Sequence, residues 1–148
     1  MEDDFLDDGT LGAQMSDVKR LKPTVISAHG TPPKRISEFV GLASTGEDDL
    51  SLALMRSPAG WTEPAQVTRF AETTVVIEGS VVLHLEGREA VTIAAGEAVT
   101  VPPGVTVRYE TPDPAVYVSL CRPAFSPARL VRETEPGAQT DQDSRSIP

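Results

Sequence analysis

The sequence is poor in cysteine, histidine and positive charge, and each shortage excludes something. Cys121 is the single cysteine, so no internal disulfide can form. That usage fits a reducing compartment, and a cytoplasmic location is expected. His29 and His84 are the only histidines. His29 precedes Thr31-Pro32-Pro33, and His84 alternates with Leu83 and Leu85 on a predicted outward face, so neither has a ligand partner at useful spacing. The 13 Lys and Arg stand against 22 Asp and Glu, a net charge of -9. A nucleic-acid partner would call for a basic patch, and none is expected. No apolar run approaches the roughly 18 residues that a membrane span needs. The N-terminus lacks the basic start and apolar stretch of a secretory signal. Phosphate loops of the Gly-x-x-x-x-Gly-Lys type, Gly-x-Ser-x-Gly elbows and Cys-x-x-Cys pairs are absent.

What is present reads as one domain, since 148 residues suffice to bury one core. Residues 1–20 carry Glu2, Asp3, Asp4, Asp7 and Asp8 and are expected to be a flexible acidic arm. Met15 is a candidate native start, which leaves residues 1–14 open. Residues 133–148 are polar without periodicity and are expected to be a disordered tail. Between them, residues 21–132 read as β-structure. Leu50 to Met55 alternates in part, and Gln66 to Phe70, Thr73 to Ile77 and Val81 to Leu85 follow as short β-branched or apolar runs. Glu89 to Ile93, Ala98 to Val101, Val105 to Glu110 and Val116 to Leu120 complete the set, separated by Gly/Pro turns. Such spacing indicates a sandwich or small barrel. A short helix is expected near Lys34 to Val40.

Two spacings are more specific. Gly60 is followed by five residues, then Gln66, one residue, Thr68, three residues, Glu72, six residues and Gly79. Further on, Gly96 is followed by five residues, Pro102, one residue and Gly104, with Val107 and Thr111 beyond. The pair resembles the two cupin motifs over roughly residues 50 to 125. That resemblance implies an all-β cupin fold, a double-stranded β-helix or jelly-roll barrel, with a short N-terminal helix or strand extension. In the family, positions 66, 68 and 107 carry histidines that bind metal with the carboxylate at 72. Here only Glu72 keeps a ligand type, so no metal and no cofactor are expected. Gln66 and Thr68 form hydrogen bonds but are poor ligands for zinc or iron.

Residues 61–125 also resemble the C-terminal domain of the ethanolamine-utilisation cupins. Thr74-Val75-Val76-Ile77-Glu78-Gly79, Tyr117-Val118 and Pro123-Ala124 carry the likeness. It implies a metal-poor, dimeric barrel. An acetate-kinase-like activity ascribed to that family is not carried over, because this chain shows no phosphate-binding device. Stand-alone cupins of bacterial secondary metabolism act as cyclases, isomerases or lyases.

Strand alternation extends the motif positions into a candidate pocket. Gln66, Thr68 and Phe70 share one inward face, Glu72 leads Thr74 and Val76, and Val107 leads Tyr109. Glu72 and Tyr109 are the candidate catalytic residues. Gln66, Thr68, Phe70, Thr74, Val76 and Val107, with Trp61 at the mouth beside Glu63, are the candidate substrate-binding residues. Glu72, expected to face Gln66, Thr68 and Val107, could act as general acid or base, or be an idle vestige. Tyr109 could orient a ligand, or be core with its hydroxyl at the rim. Which face of Tyr117, Ser119 and Cys121 looks inward is undecided, and Cys121 lacks a histidine to activate it.

The expected function is a metal-independent cupin enzyme of lyase, isomerase or cyclase type, acting on a small organic molecule by proton transfer. A non-catalytic binding or sensing cupin, a metallo-cupin using Glu72 with Glu63 or Tyr109, and a purely structural dimer with a plugged barrel are the alternatives. A homodimer is expected, with residues 23 to 40 as candidates for strand exchange.

Overall fold

The computed structural model describes residues 17–28 and 30–132. The acidic residues 1–16 with Met15, the residue His29 and the tail 133–148 lie outside the described residues.

Two antiparallel sheets face each other. The first contains β1 (Thr24–Ser27), β2 (Arg35–Val40), β3 (Ser51–Ser57), β6 (Ala71–Glu78), β9 (Ala98–Val101) and β11 (Ala115–Arg122). Its order is β1-β2-β3-β11-β6-β9. The second contains β4 (Trp61–Thr62), β5 (Gln66–Thr68), β7 (Ser80–Leu85), β8 (Val91–Ala94), β10 (Thr106–Thr111) and β12 (Leu130–Arg132). Its order is β12-β5-β10-β7-β8, and β4 pairs with β10. The central strands of each sheet are far apart in sequence, so the chain crosses repeatedly between sheets. This is the jelly-roll barrel that the spacing implied.

Alternation drives the strands. In β3 the burial pattern is buried at every second residue, and β10 and β11 follow the same rule. The inward residues Trp61, Val76, Val81, Leu83, Ile93, Val107, Tyr109 and Tyr117 form the core. Outward residues pair with one another, as His84 with Glu110 at 2.6 Å and Arg108 with Thr62 at 2.6 Å. His84 and Arg108 therefore face away from the barrel interior.

One sequence expectation is corrected. The stretch near Lys34 to Val40 is strand β2, not helix. Ile36 and Glu38 alternate with Ser37 and Phe39, and the strand pairs with β1 on one side and β3 of the same chain on the other. Among the described residues, the single helical turn is a 3-10 turn at Pro127–Arg129, capped by Ser126.

Candidate functional site

A cavity of about 200 Å³ opens beyond the packed core. Sheet one contributes Ser51, Ala53 and Met55 from β3, Glu72 from β6, and Ser119 and Cys121 from β11. Gln66 comes from sheet two. The last wall is the segment after β11, which brings Phe125, Leu130 and Arg132 across the opening. That segment is tied down by backbone and side chain. Phe125 donates its N–H to Ser51 Oγ at 2.9 Å. Arg129 donates to the Ala124 carbonyl and to Asp48, each at 2.7 Å.

Glu72 sits where the two sheets meet. Register places Cys121 opposite it on β11. Its Oε2 accepts from Ser119 Oγ at 2.5 Å and has Cys121 Sγ at 3.9 Å. Its Oε1 accepts from the Tyr109 hydroxyl, on the other sheet, at 3.1 Å. Burial, and then the Glu72 charge, hold the Tyr109 hydroxyl well above its usual range, so it stays protonated and donates. An ionised carboxylate offers about four acceptor sites, so room remains for one further donor or a transferable proton.

A second polar group lines the approach. Lys34 Nζ lies 4.1 Å from the centroid of the Trp61 ring and 5.5 Å from that of Tyr117. It also donates to the Tyr117 hydroxyl at 3.2 Å, and that hydroxyl meets Ser57 Oγ at 2.8 Å. Aromatic faces hold the ammonium in place without neutralising it. Glu38, also on the wall, is committed elsewhere: its Oε2 accepts from the Ala43 N–H at 3.0 Å and Ser44 Oγ at 3.1 Å, which shapes the loop at Gly41.

The predicted residues divide. Gln66, Phe70 and Glu72 line the cavity. Tyr109 lies behind Glu72 and reaches the site through it. Thr68 is buried with its hydroxyl donated to the Phe70 carbonyl at 2.7 Å. Thr74, Val76 and Val107 are each 1% exposed and fill the barrel instead of lining the cavity. Trp61 is fully buried beneath Lys34, so the mouth expected there lies elsewhere. Glu63 is buried too, and Arg132 Nη1 stands 3.5 Å from its Oε1, an ion pair without hydrogen-bonding geometry. Burial pushes the Glu63 carboxyl up, while Lys34 and Arg132 oppose that shift. The partners of Glu72 are Tyr109, Ser119 and Cys121, not Gln66, Thr68 and Val107. Ser119 and Cys121 settle which face of the last strand looks inward.

Sequence reasoning did not find Lys34 and Arg132. They come from the two ends of the barrel, and no local motif joins them. The alternation of Leu130 with Arg132 was the one available signal.

The four positions that would carry a cupin metal do not fit one. The Thr68 hydroxyl is spent on a backbone carbonyl, Val107 has no donor atom, and Gln66 offers only an amide oxygen, which leaves Glu72 as the single good ligand type of the four. Among the described residues, no three His, Cys, Asp or Glu side chains converge.

Comparison with known proteins agrees with this architecture. Residues 53–121 match the family model described as cupin domain. Endoribonuclease YbeY of Myxococcus xanthus (strain DK1622) is 44% identical over 103 residues, 68% of this chain and 35% of that protein. The chain thus spans about a third of that relative. A structure of Streptomyces PAC13 with uridine superposes with a TM-score of 0.64 at 18% identity, over 80% of this chain and 92% of that one. A putative ethanolamine utilization protein from Salmonella typhimurium LT2 gives 0.56 at 17% identity, over 72% of this chain and all of that one. These structural likenesses concern the fold. With its motif glycines, its jelly-roll sheets and its matching family model, the chain contains a cupin domain over residues 53–121.

Proposed function

We propose that this protein is a metal-independent cupin enzyme that takes a small organic molecule into its cavity and acts as a lyase of the dehydratase type. The observation that carries this reading is the Glu72 carboxylate, presented at the cavity wall by Tyr109 and Ser119. Among lyase, isomerase and cyclase chemistry, elimination of water is chosen because the structurally similar Pac13 is described as a nucleoside dehydratase. The endoribonuclease name of the Myxococcus relative is not adopted, because the chain matches only a third of that protein.

The step balances on this chain's own residues. Glu72 takes the proton from a carbon beside a carbonyl, and the electron pair forms a carbon–carbon double bond. The β-hydroxyl leaves and receives that proton back from Glu72 as water. Tyr109 and Ser119 hold the carboxylate in line. Lys34, held by Trp61 and Tyr117 and lining the same cavity, would stabilise charge that develops on the carbonyl oxygen. A positioned acid–base group of this kind contributes roughly 10²–10⁴-fold.

The test is a panel of β-hydroxy aldehydes and ketones, incubated with chelator-treated protein in D2O and followed by NMR for the alkene. Turnover is expected to persist under chelation and to fall by roughly 10²–10⁴-fold in Glu72→Gln. Turnover that survives Glu72→Gln overturns the role of the carboxylate. Turnover lost on chelation and restored by iron or zinc overturns metal independence. A molecule recovered bound and unchanged, with no exchange at carbon, would make the protein a binding module.

A further inference from the structure

We infer that the wall formed by Gln66 and Arg132 is a subsite for a flat amide or imide edge, a carbonyl oxygen beside an N–H. Register sets these two residues directly opposite each other, on β5 and β12. Both line the cavity. Gln66 is 6% exposed, and its side-chain carbonyl has no hydrogen-bond partner among the described residues. Arg132 Nη1 is likewise buried and makes no hydrogen bond. A buried acceptor without a partner is costly, and so is a buried donor held only by an ion pair with Glu63 at 3.5 Å, since such groups ordinarily make hydrogen bonds.

The ligand chemistry follows from their complementarity. Arg132 can only donate, so it calls for a carbonyl oxygen. Gln66 Oε1 can only accept, so it calls for an N–H. An amide, lactam or imide presents both within one plane. A carboxylate would meet Arg132 but oppose the Gln66 oxygen unless the Gln66 amide turned over and gave up this orientation. The Glu63 carboxylate, 3.5 Å from Arg132, further offsets the guanidinium charge and disfavours an anion. Phe70 and Phe125 line the same cavity as an edge-to-face pair, with centroids 6.0 Å apart, and offer apolar surface to a ring. The volume of about 200 Å³ suits one substituted ring, since a cavity of roughly 150 Å³ holds benzene. The inference rests on the proposed function in that the ligand would share its cavity with Glu72.

Binding to the full 148-residue chain tests it with two matched pairs of probes. Uridine is compared with 3-methyluridine, which lacks the imide N–H, and benzamide with benzoate, which replaces the amide by a charge. Ligand-observed NMR is expected to show uridine and benzamide bound at least about tenfold more tightly than their partners, because a site built for a hydrogen bond rejects the analogue without it. Gln66→Met should erase that preference while the melting temperature stays equal or rises. Equal binding within both pairs, benzoate tighter than benzamide, or no binding of any probe at millimolar concentration would overturn the subsite. Glu72→Gln should leave the preference intact even where turnover is lost, so the subsite and the catalytic reading fail separately.

Discussion

The Cys121 thiol shares the Glu72 carboxylate with Ser119, and its surroundings keep it inert. Burial pushes the thiol up, and the Glu72 charge adds to the shift. The thiol rather than the thiolate is therefore present near neutral pH. A neutral-pH disulfide reagent should label native protein at least about tenfold more slowly than urea-unfolded protein. Fast labelling of the folded state would contradict this burial. Glu63 makes the complementary case. Its folded pKa is raised, chiefly by burial, so between its unfolded and folded values the native state holds a proton that the unfolded chain has lost. Its contribution is then fully present below the ordinary carboxylate range and disappears as pH rises through the raised value. In Glu63→Gln, the fall in stability from about pH 4.5 upward should be shallower than in the wild type. Urea midpoints measured across that range read the difference; parallel curves would count against it.

At the scale of elements, β11 lies inside the first sheet, between β3 and β6. Ala115 and Tyr117 fill the core, while Ser119 and Cys121, on the same face, reach the cavity. The turns that let such strands pair depend on glycine at two informative places. Gly104 has φ +85° with open space around it, and Gly79 has φ +74° with the Pro114 carbonyl oxygen against any added Cβ. Gly104→Ala should cost about 1 kcal/mol for its left-handed backbone. Gly79→Ala should cost roughly 3 kcal/mol, because backbone must also shift. Equal costs in urea denaturation would remove the steric argument. These glycines were legible in the motif spacing, and so were the eight strands from β3 and β5 through β11, because period-two alternation is local. β2 was misread as helix. β12 was invisible, because three residues after a proline turn become a strand only when β5 pairs with them.

For the whole molecule, the absence of fit at positions 66, 68, 72 and 107 predicts that metal does not support the fold. The melting temperature should be unchanged by chelator or by added zinc, manganese or iron. A resident site saturated at 100 times its Kd would instead stabilise by about 2.7 kcal/mol, a shift easily read by scanning fluorimetry. The cavity itself is a property of this scale. Gln66 and Glu72 were found from sequence because a motif numbers them, and Phe70 because alternation carries the face of Gln66 onward. Lys34 and Arg132 were not, because the first sits before β2 and the second closes the barrel at its far end.

Sequence by itself determined the strands, the turns and the loss of the metal-binding residue types, since alternation and motif spacing act over a few neighbours. Only the tertiary structure decided that Glu72 meets Tyr109 and Ser119, that Trp61 is buried under Lys34, and that Gln66 faces Arg132. Those pairings are set by sheet register and by one sheet closing on the other, which bring together residues tens of positions apart.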